Sequence, residues 1–169
     1  MTILIMNIFS SSTKELIKQS RLLAIELGHN YISASDFMLA DCMYNSNNSI
    51  KGFAFDNENQ LQHYIDSQRK GGGTIFADLN QEQLPITKDL ETMIKLSKKE
   101  MNLYGHSEIQ PYHLFLASFK SKYPLLVQKP DDSTSMYDKL ISYYQSFGIN
   151  FTLKNSSPFS RLKQILGIG

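Results

Sequence analysis

The sequence has no tryptophan, a single cysteine and no long apolar run. Because Cys42 has no second cysteine, it cannot form an intramolecular disulfide, which predicts a reducing, cytoplasmic environment. The apolar N-terminal run MTILIMNIF has no Lys or Arg before it, and it is too short for a signal-peptide core or a membrane span. The sequence therefore predicts neither a secreted, disulfide-held domain nor an association with a membrane.

Positive and negative charges nearly balance: the chain has 17 Lys and Arg and 16 Asp and Glu, which gives a formal net charge of +1. Contact with a nucleic-acid backbone needs clustered Lys and Arg that neutralise several phosphates. The one basic cluster, at Arg69 and Lys70, is too short for that, so we expect no nucleic-acid partner. The composition, 41% hydrophobic and 20% charged, is that of one ordinary globular domain.

Motifs for metal, cofactor or nucleotide chemistry are missing as well. The triplet 71–73 (Gly-Gly-Gly) is followed by no Gly-Lys-Ser/Thr sequence, and no Walker motif occurs. The possible metal ligands lack the spacing of a zinc site: His29, His63, His106, His113 and Cys42. We expect no cofactor, no metal and no ATP hydrolysis by this chain, and we expect His29 and His106 to bond backbone groups at helix ends.

What the sequence does have is an internal repeat. Residues Phe9–Met43 and Ile86–Lys120 align without a gap at an offset of 77 residues, which sets Gly28 on Gly105. The residues of the first segment that recur identically in the second are Ile17, Lys18, Ser20, Gly28, His29, Ile32, Leu39 and Ala40. A period of this size, present twice, predicts two copies of one supersecondary unit packed against each other.

Each copy begins with the pattern of an amphipathic helix, in which apolar residues recur at three- and four-residue spacing. Ser10 and Thr87 fall at N-cap positions, where a side-chain oxygen can accept from a free backbone amide. Gly28 and Gly105 fit the left-handed position that ends a helix. We expect the following residues to be buried together: Leu16, Ile17, Leu27, Ile32, Leu39, Met93, Ile94, Tyr104, Ile109 and Leu116.

A second and a third helix follow in each copy. Ser33 with Asp36 has the form of a capping box, and Pro111 suits the first turn of a helix. Third helices are predicted over about residues 59–70 and about 134–147. The halves are joined by a flexible connection that includes the glycine triplet and the polar stretch 78–83, and that ends at Pro85.

The resulting expectation is an all-α, pseudo-two-fold bundle over residues 1–150. Its first repeat covers about residues 9–70, and its second covers about residues 86–148. Residues 151–169 are predicted to be a linker or tail.

Two segments of the chain are similar to a known family: GHNYISASDFMLA, which begins at Gly28, and GHSEIQPYHLFLA, which begins at Gly105. They resemble the pattern Gly-His-x-x-Ile-Gly-Thr-Glu-His-Leu-Leu-Leu of the N-terminal domain of the Clp AAA+ unfoldases, the Clp repeat domain. The resemblance covers the chain from about Phe9 to about Gly148. It implies a helical double repeat without enzymatic activity that docks protein substrates or adaptor proteins for an ATPase ring.

The chain departs from the family pattern where ligand chemistry is expected. The family Glu falls on Ser35 and Tyr112, while the family His is kept as His113 and replaced by Asp36. Some members use that Glu to bind phosphorylated arginine, because a carboxylate pairs with a guanidinium. Its loss from both repeats argues against phosphoarginine recognition here, with Asp36 as a weaker substitute one position away.

Three functional hypotheses remain open. The chain is either the N-terminal domain of a larger unfoldase, with residues 159–169 beginning a linker, or a free-standing adaptor or regulator of a Clp complex. A remote alternative from another class is a small hydrolase that uses Cys42 and a histidine. A buried apolar cysteine that serves only packing is the competing interpretation of Cys42.

The predicted docking site lies at the starts of the two second helices, where free backbone amides favour acidic groups. Because Tyr112 replaces a carboxylate, a peptide with an apolar or aromatic anchor is expected rather than a basic one. The predicted partner-binding residues are Ser33, Ser35, Asp36, Gln110, Tyr112 and His113, with Phe53 and Phe55 next in line.

Overall fold

The structure is a computed structural model that describes residues 8–45, 49–69, 84–120 and 133–154, without the side chains of 133–135. Within these ranges the chain forms seven helices and no β-strand, which confirms the prediction of an all-α fold. The helices are α1 (Ser11–Glu26), α2 (Ala34–Tyr44), α3 (Lys51–Ala54), α4 (Glu58–Gln68), α5 (Lys88–Tyr104), α6 (Pro111–Lys120) and α7 (Ser133–Gln145).

The helices pair as the repeat predicts. The offset of 77 residues maps the first residue of α1 onto that of α5, and the first residue of α2 onto that of α6. Helix α1 packs on α2, and α5 packs on α6, which also carries α7. Contacts between α1 and α6 and between α2 and α5 join the two units.

The helix ends follow local sequence at most of the expected positions. The Ser10 hydroxyl accepts the Thr13 N–H at 3.1 Å, as an N-cap should. Gly28 and Gly105 end their helices with φ of 75° and 70°, in the left-handed region that favours glycine. Thr87 occupies the matching N-cap position, but the prediction that its side chain caps the helix is wrong. The Thr87 hydroxyl makes no cap bond and donates instead to the Ile32 carbonyl, at 3.4 Å.

Two pairs of backbone hydrogen bonds connect the repeats reciprocally. The Ser10 N–H donates to the Ile109 carbonyl, and the Ile109 N–H donates to the Ile8 carbonyl, at 3.1 and 2.7 Å. At the equivalent place, the Thr87 N–H donates to the Ile32 carbonyl, and the Ile32 N–H donates to the Pro85 carbonyl, at 3.0 and 2.8 Å. The chain before the first helix of each unit therefore pairs with the chain before the second helix of the other.

One continuous core lies between the two units. Eight of the ten residues predicted to be buried are buried, and the other two, Ile17 and Ile94, are partly buried and pack against the core. Phe37, Phe115 and Tyr144 add the largest fully buried side chains. Since each unit supplies part of this core, burial of apolar area stabilises the pair rather than either unit alone.

The segments outside the repeated hairpins were predicted less completely. The third helices are confirmed as α4 and α7, each beginning one residue before the expected start. The short α3 was not predicted, and it is anchored by the buried Asp41 carboxylate, which accepts the Ile50 N–H at 2.7 Å. The predicted connection at 71–73 and 78–83 and the tail after Lys154 lie outside the described residues.

Candidate functional site

The reciprocal pairing places each predicted docking segment beside a helix start of the other repeat. We call the start of α2, with Ser33, Ser35 and the adjacent Ile86, the first face. We call the start of α6, with Gln110, Tyr112 and the adjacent Ser12, the second face. The Ser12 hydroxyl donates to the Gln110 side-chain oxygen at 3.0 Å, which ties the second face to α1.

The predicted site residues divide into exposed and buried sets. Ser33, Ser35, Gln110 and Tyr112 are all partly exposed. In contrast, Asp36 and His113 have 0% exposure. These two side chains therefore lie behind the faces, and the expectation that they line a docking surface is corrected to a role in holding the helix starts.

In the first repeat, Asp36 is the centre of a relay of hydrogen bonds. Its carboxylate accepts the backbone N–H and the hydroxyl of Ser33, both at 2.7 Å, which completes the predicted capping box. The other carboxylate oxygen faces His29 Nδ1 at 2.9 Å, and His29 Nε2 faces the Gln68 carbonyl at 2.8 Å. Both ring nitrogens of His29 thus face acceptors, so a proton on either nitrogen has a hydrogen-bond partner.

The second repeat contains a relay of the same layout with different chemistry. His113 Nδ1 accepts the Gln110 backbone N–H at 2.9 Å, and the other ring nitrogen of His113 contacts His106 Nδ1 at 2.7 Å. His106 Nε2 faces the Asn150 carbonyl at 2.8 Å. The backbone groups at the two ends assign one proton to each ring: His113 Nε2–H donates to His106, and His106 Nε2–H donates to Asn150.

Burial keeps His113 neutral. It lowers the pKa of His113 from 6.5 to about 3, and the charge that His106 would carry lowers it further as the smaller cause. The expectation that His29 and His106 bond backbone groups at helix ends is confirmed for His29, which contacts the carbonyl of Gln68, the last residue of α4. His106 instead contacts the Asn150 carbonyl, which lies beyond the end of α7.

Tyr112 is packed rather than projecting into solvent. Its ring lies 4.4 Å from that of His113, 5.5 Å from Phe151 and 5.7 Å from Tyr144, measured between centroids. Burial raises the pKa of its hydroxyl to about 12, so the group stays neutral. At the position of the family Glu, the second face therefore offers part of an aromatic ring and no negative charge.

Phe53 and Phe55 are partly buried and packed against the core. The Phe53 ring lies 5.7 Å from Tyr143 and 6.5 Å from Phe119, so it joins α3 to the second repeat. The Phe55 ring packs 5.6 Å from Tyr64. Their packing leaves only part of each ring for a partner, and they stay secondary candidates.

The sequence interpretation missed Ile86 as a surface residue. Its side chain is 46% exposed beside the start of α2, whereas its equivalent Phe9 is buried. The sequence carried no signal for this difference, because both residues are large and apolar. The first face consequently has an apolar side chain as well as two hydroxyls.

Cys42 lies in the core with 4% exposure. Burial, and to a smaller extent the charge of Asp41, raises the pKa of its thiol to about 12. A thiol with this pKa is protonated at neutral pH, which does not suit the nucleophile that the hydrolase hypothesis requires.

Metal-ligand clusters and membrane-spanning helices are both absent from the part of the chain that the structure describes. Among those residues, no group of three or more His, Cys, Asp or Glu side chains is arranged to hold a metal ion. Over the same ranges, no helix has the length and apolar character needed to cross a bilayer.

Comparison with protein families assigns the fold. The sequence model of the Clp repeat (R) N-terminal domain matches residues 8–126, which include both faces. The chain belongs to this family. A search of curated proteins finds no matching sequence.

Membership defines the general class of activity. Clp N-terminal domains are non-catalytic modules of Clp ATPases that bind substrates or adaptors. The two faces and the relays behind them are thus parts of a binding domain.

Proposed function

We propose that this chain captures protein substrates or adaptor proteins in the cytosol for a Clp-type ATP-dependent unfoldase, and that the first and second faces make the contact. The observation that carries the proposal is the family match over residues 8–126, within which both faces remain partly exposed. The relays fix the helix starts at both faces, so the contact surfaces are pre-organised.

The chemistry of the first face favours an apolar anchor. Ile86 supplies exposed apolar area, and Ser33 and Ser35 supply hydroxyl groups. The only carboxylate at the start of α2, that of Asp36, is buried and already accepts from Ser33 and His29. A guanidinium group would find no free carboxylate at this helix start, so phosphoarginine is not the proposed ligand.

The second face also favours a peptide with an apolar anchor. The part of Tyr112 that remains exposed can pack against an apolar or aromatic side chain, and Gln110 adds an amide at its edge. Pro111 has no N–H, so this helix start presents fewer free amide donors than the start of α2. We infer that the preferred peptide has one apolar or aromatic anchor and no basic residue next to it.

A capture experiment tests the proposal. The immobilised chain is compared with a Ser35→Arg/Gln110→Arg variant for recovery of bound proteins from lysate, quantified by mass spectrometry. Because the long charged side chains should exclude an apolar anchor from both faces, recovery is expected to fall about tenfold or more, the scale of one interface anchor. Melting temperatures are measured for both proteins, since both replaced residues are partly exposed and the fold should be kept.

Lys18→Arg is the matched control, because it places the same guanidinium on an exposed position of α1. It should leave recovery unchanged. Equal recovery by the folded double variant and the control would remove both faces from the proposal and transfer the search to Phe53 and Phe55. Binding of the isolated chain to a purified Clp ATPase ring would favour the free-standing adaptor among the alternatives.

A further inference from the structure

The two relays have the same layout but respond differently to a proton. In the second relay, the Gln110 N–H can only donate and the Asn150 carbonyl can only accept. The two rings between them carry one proton each, and all three hydrogen bonds run in one direction. Any third proton sets two N–H groups against each other or sets an N–H against the Gln110 amide, so at least one bond is lost.

The first relay has a carboxylate at the central position. Asp36 accepts from Ser33, and the two ring nitrogens of His29 face the Asp36 carboxylate and the Gln68 carbonyl. A proton on either nitrogen of His29 therefore meets an acceptor rather than a second N–H, which is the opposite of the second relay.

The groups around the second relay do not offset an added charge. From α5 Tyr104 faces the His106 ring, and from α6 Tyr112 faces both rings, while Tyr144 of α7 packs on Tyr112. Burial raises the pKa of all three phenols, which stay neutral. Lys154 packs over Gly105 and adds positive charge, and the exposed Glu108 makes no ion pair with either ring.

The second relay also fixes residues 149–154, the last residues that the structure describes, which we call the exit segment. The Asn150 carbonyl accepts from His106, and the Lys154 N–H donates to the Leu103 carbonyl at 3.0 Å. Between them, Phe151 is buried against the rings of Tyr104, His106 and Tyr112. The second face and this exit segment therefore share one set of contacts.

We propose that the His106–His113 pair is a pH-sensitive coupling that holds the exit segment to the second face when neutral and releases both when it takes up a proton. The equivalent His29–Asp36 pair keeps the first face closed under the same conditions. Release of the exit segment is independent of any partner, whereas its effect on docking rests on the proposed function.

The sign and size of the effect follow from the two states of His113. In the closed relay its pKa is about 3, and in an opened, hydrated state it returns to its ordinary value of 6.5. Between these values the open state binds a proton that the closed state does not. The open population should therefore rise as pH falls, by about tenfold per pH unit within this window.

Hydrogen exchange at single amides measures this opening in the 169-residue chain. We expect the protection factors of the Gln110 and Lys154 amides, corrected for intrinsic exchange, to fall about tenfold per pH unit between about pH 6 and pH 4.5. The Ser33 amide, held by Asp36, is the internal reference and should change less. Protection that is independent of pH at Gln110 and Lys154 would overturn the proposal.

His113→Gln is the matched variant, because its side-chain oxygen can accept the Gln110 N–H and its amide can donate to His106 without titrating. The slope at Lys154 should become shallower in this variant, because residue 113 no longer takes up a proton on opening, and an unchanged slope would refute the role of His113. Should the variant fail to fold, ring ¹⁵N shifts of the wild-type chain give a second measurement. The coupling is supported if each ring carries one proton at neutral pH and takes up a second over the same pH range in which the Lys154 amide loses protection. The coupling is contradicted if the rings become charged while the Lys154 amide stays protected.

Discussion

At the scale of single residues, position determines chemistry more than residue type does. His29 and His106 are identical in the repeat alignment, yet one faces a carboxylate and the other faces a second histidine. The difference arises at the equivalent positions of Asp36 and His113. One substitution between repeats thus changes the kind of group that an unchanged histidine contacts.

Cys42 provides a test at this scale. Because burial raises its thiol pKa to about 12 from an ordinary value of 9.0, the thiolate fraction at pH 8 should be lower by about a thousandfold than for a free thiol. Labelling by an aromatic disulfide reagent should be slow in the folded chain and fast in denaturant. Cys42→Ser should leave capture unchanged. Fast labelling of the folded chain with loss of capture would instead restore the hydrolase hypothesis.

The sequence predicted the site only in part, for a reason that also belongs to this scale. Spacing identified the helix starts at Ser33 and Gln110, because capping and repeat register are local features. Spacing could not show that Asp36 and His113 are fully buried. Their burial depends on residues distant in sequence, near Gln68 and near Asn150, that close the two relays.

At the scale of elements, the two N-caps of α1 and α5 offer a matched comparison. Ser10 caps α1 through its hydroxyl, whereas the Thr87 hydroxyl makes no cap bond to α5. Ser10→Ala should lower the free energy of unfolding by about 1–2 kcal/mol. Thr87→Ala should lower it by about half as much or less, because only a long bond to the Ile32 carbonyl is lost. Denaturant unfolding measures both, and equal losses would contradict this assignment of the caps.

Helix prediction succeeded where the signal was local and repeated. The first helix of each unit has apolar periodicity and a following glycine, and the second helix begins at a position that local sequence marks, after Ser33 or at Pro111. All four helices are present in register. Helix α3 has only four residues and no periodic pattern, and it depends on Asp41 of the preceding helix. Such an element follows from tertiary contact, which sequence spacing does not report.

At the scale of the whole molecule, the reciprocal backbone bonds make each unit dependent on the other. We expect residues 1–72 alone to be unfolded, because they lose the Ile109 and Pro85 partners and expose the face that the second unit covers. Circular dichroism during heating tests this. Mixing residues 1–72 with residues 73–169 should restore helical signal and a cooperative transition, and a cooperative transition of the first fragment alone would refute the interdependence.

The repeat predicted that two units pack together, but it did not predict how. Phe9, Ile32, Ile86 and Ile109 appeared only as apolar positions in equivalent pairs. In the structure they pair crosswise: the chain before the first helix of each unit lies against the chain before the second helix of the other unit. This pairing joins residues far apart in sequence, which local patterns do not report. Ile86 and Phe9 take equivalent places in this pairing yet differ in exposure, 46% against 4%.

The crosswise bonds have the geometry of an isologous homodimer, in which a surface on one subunit meets the same surface on its partner. Two separate copies of a single-repeat chain could make the same four backbone bonds. In such a dimer every substitution would act twice, so a change from histidine to aspartate would alter both relays at once. Joining the copies in one polypeptide removes that constraint, and it permits one half to keep a histidine–carboxylate pair while the other keeps a pair of histidines.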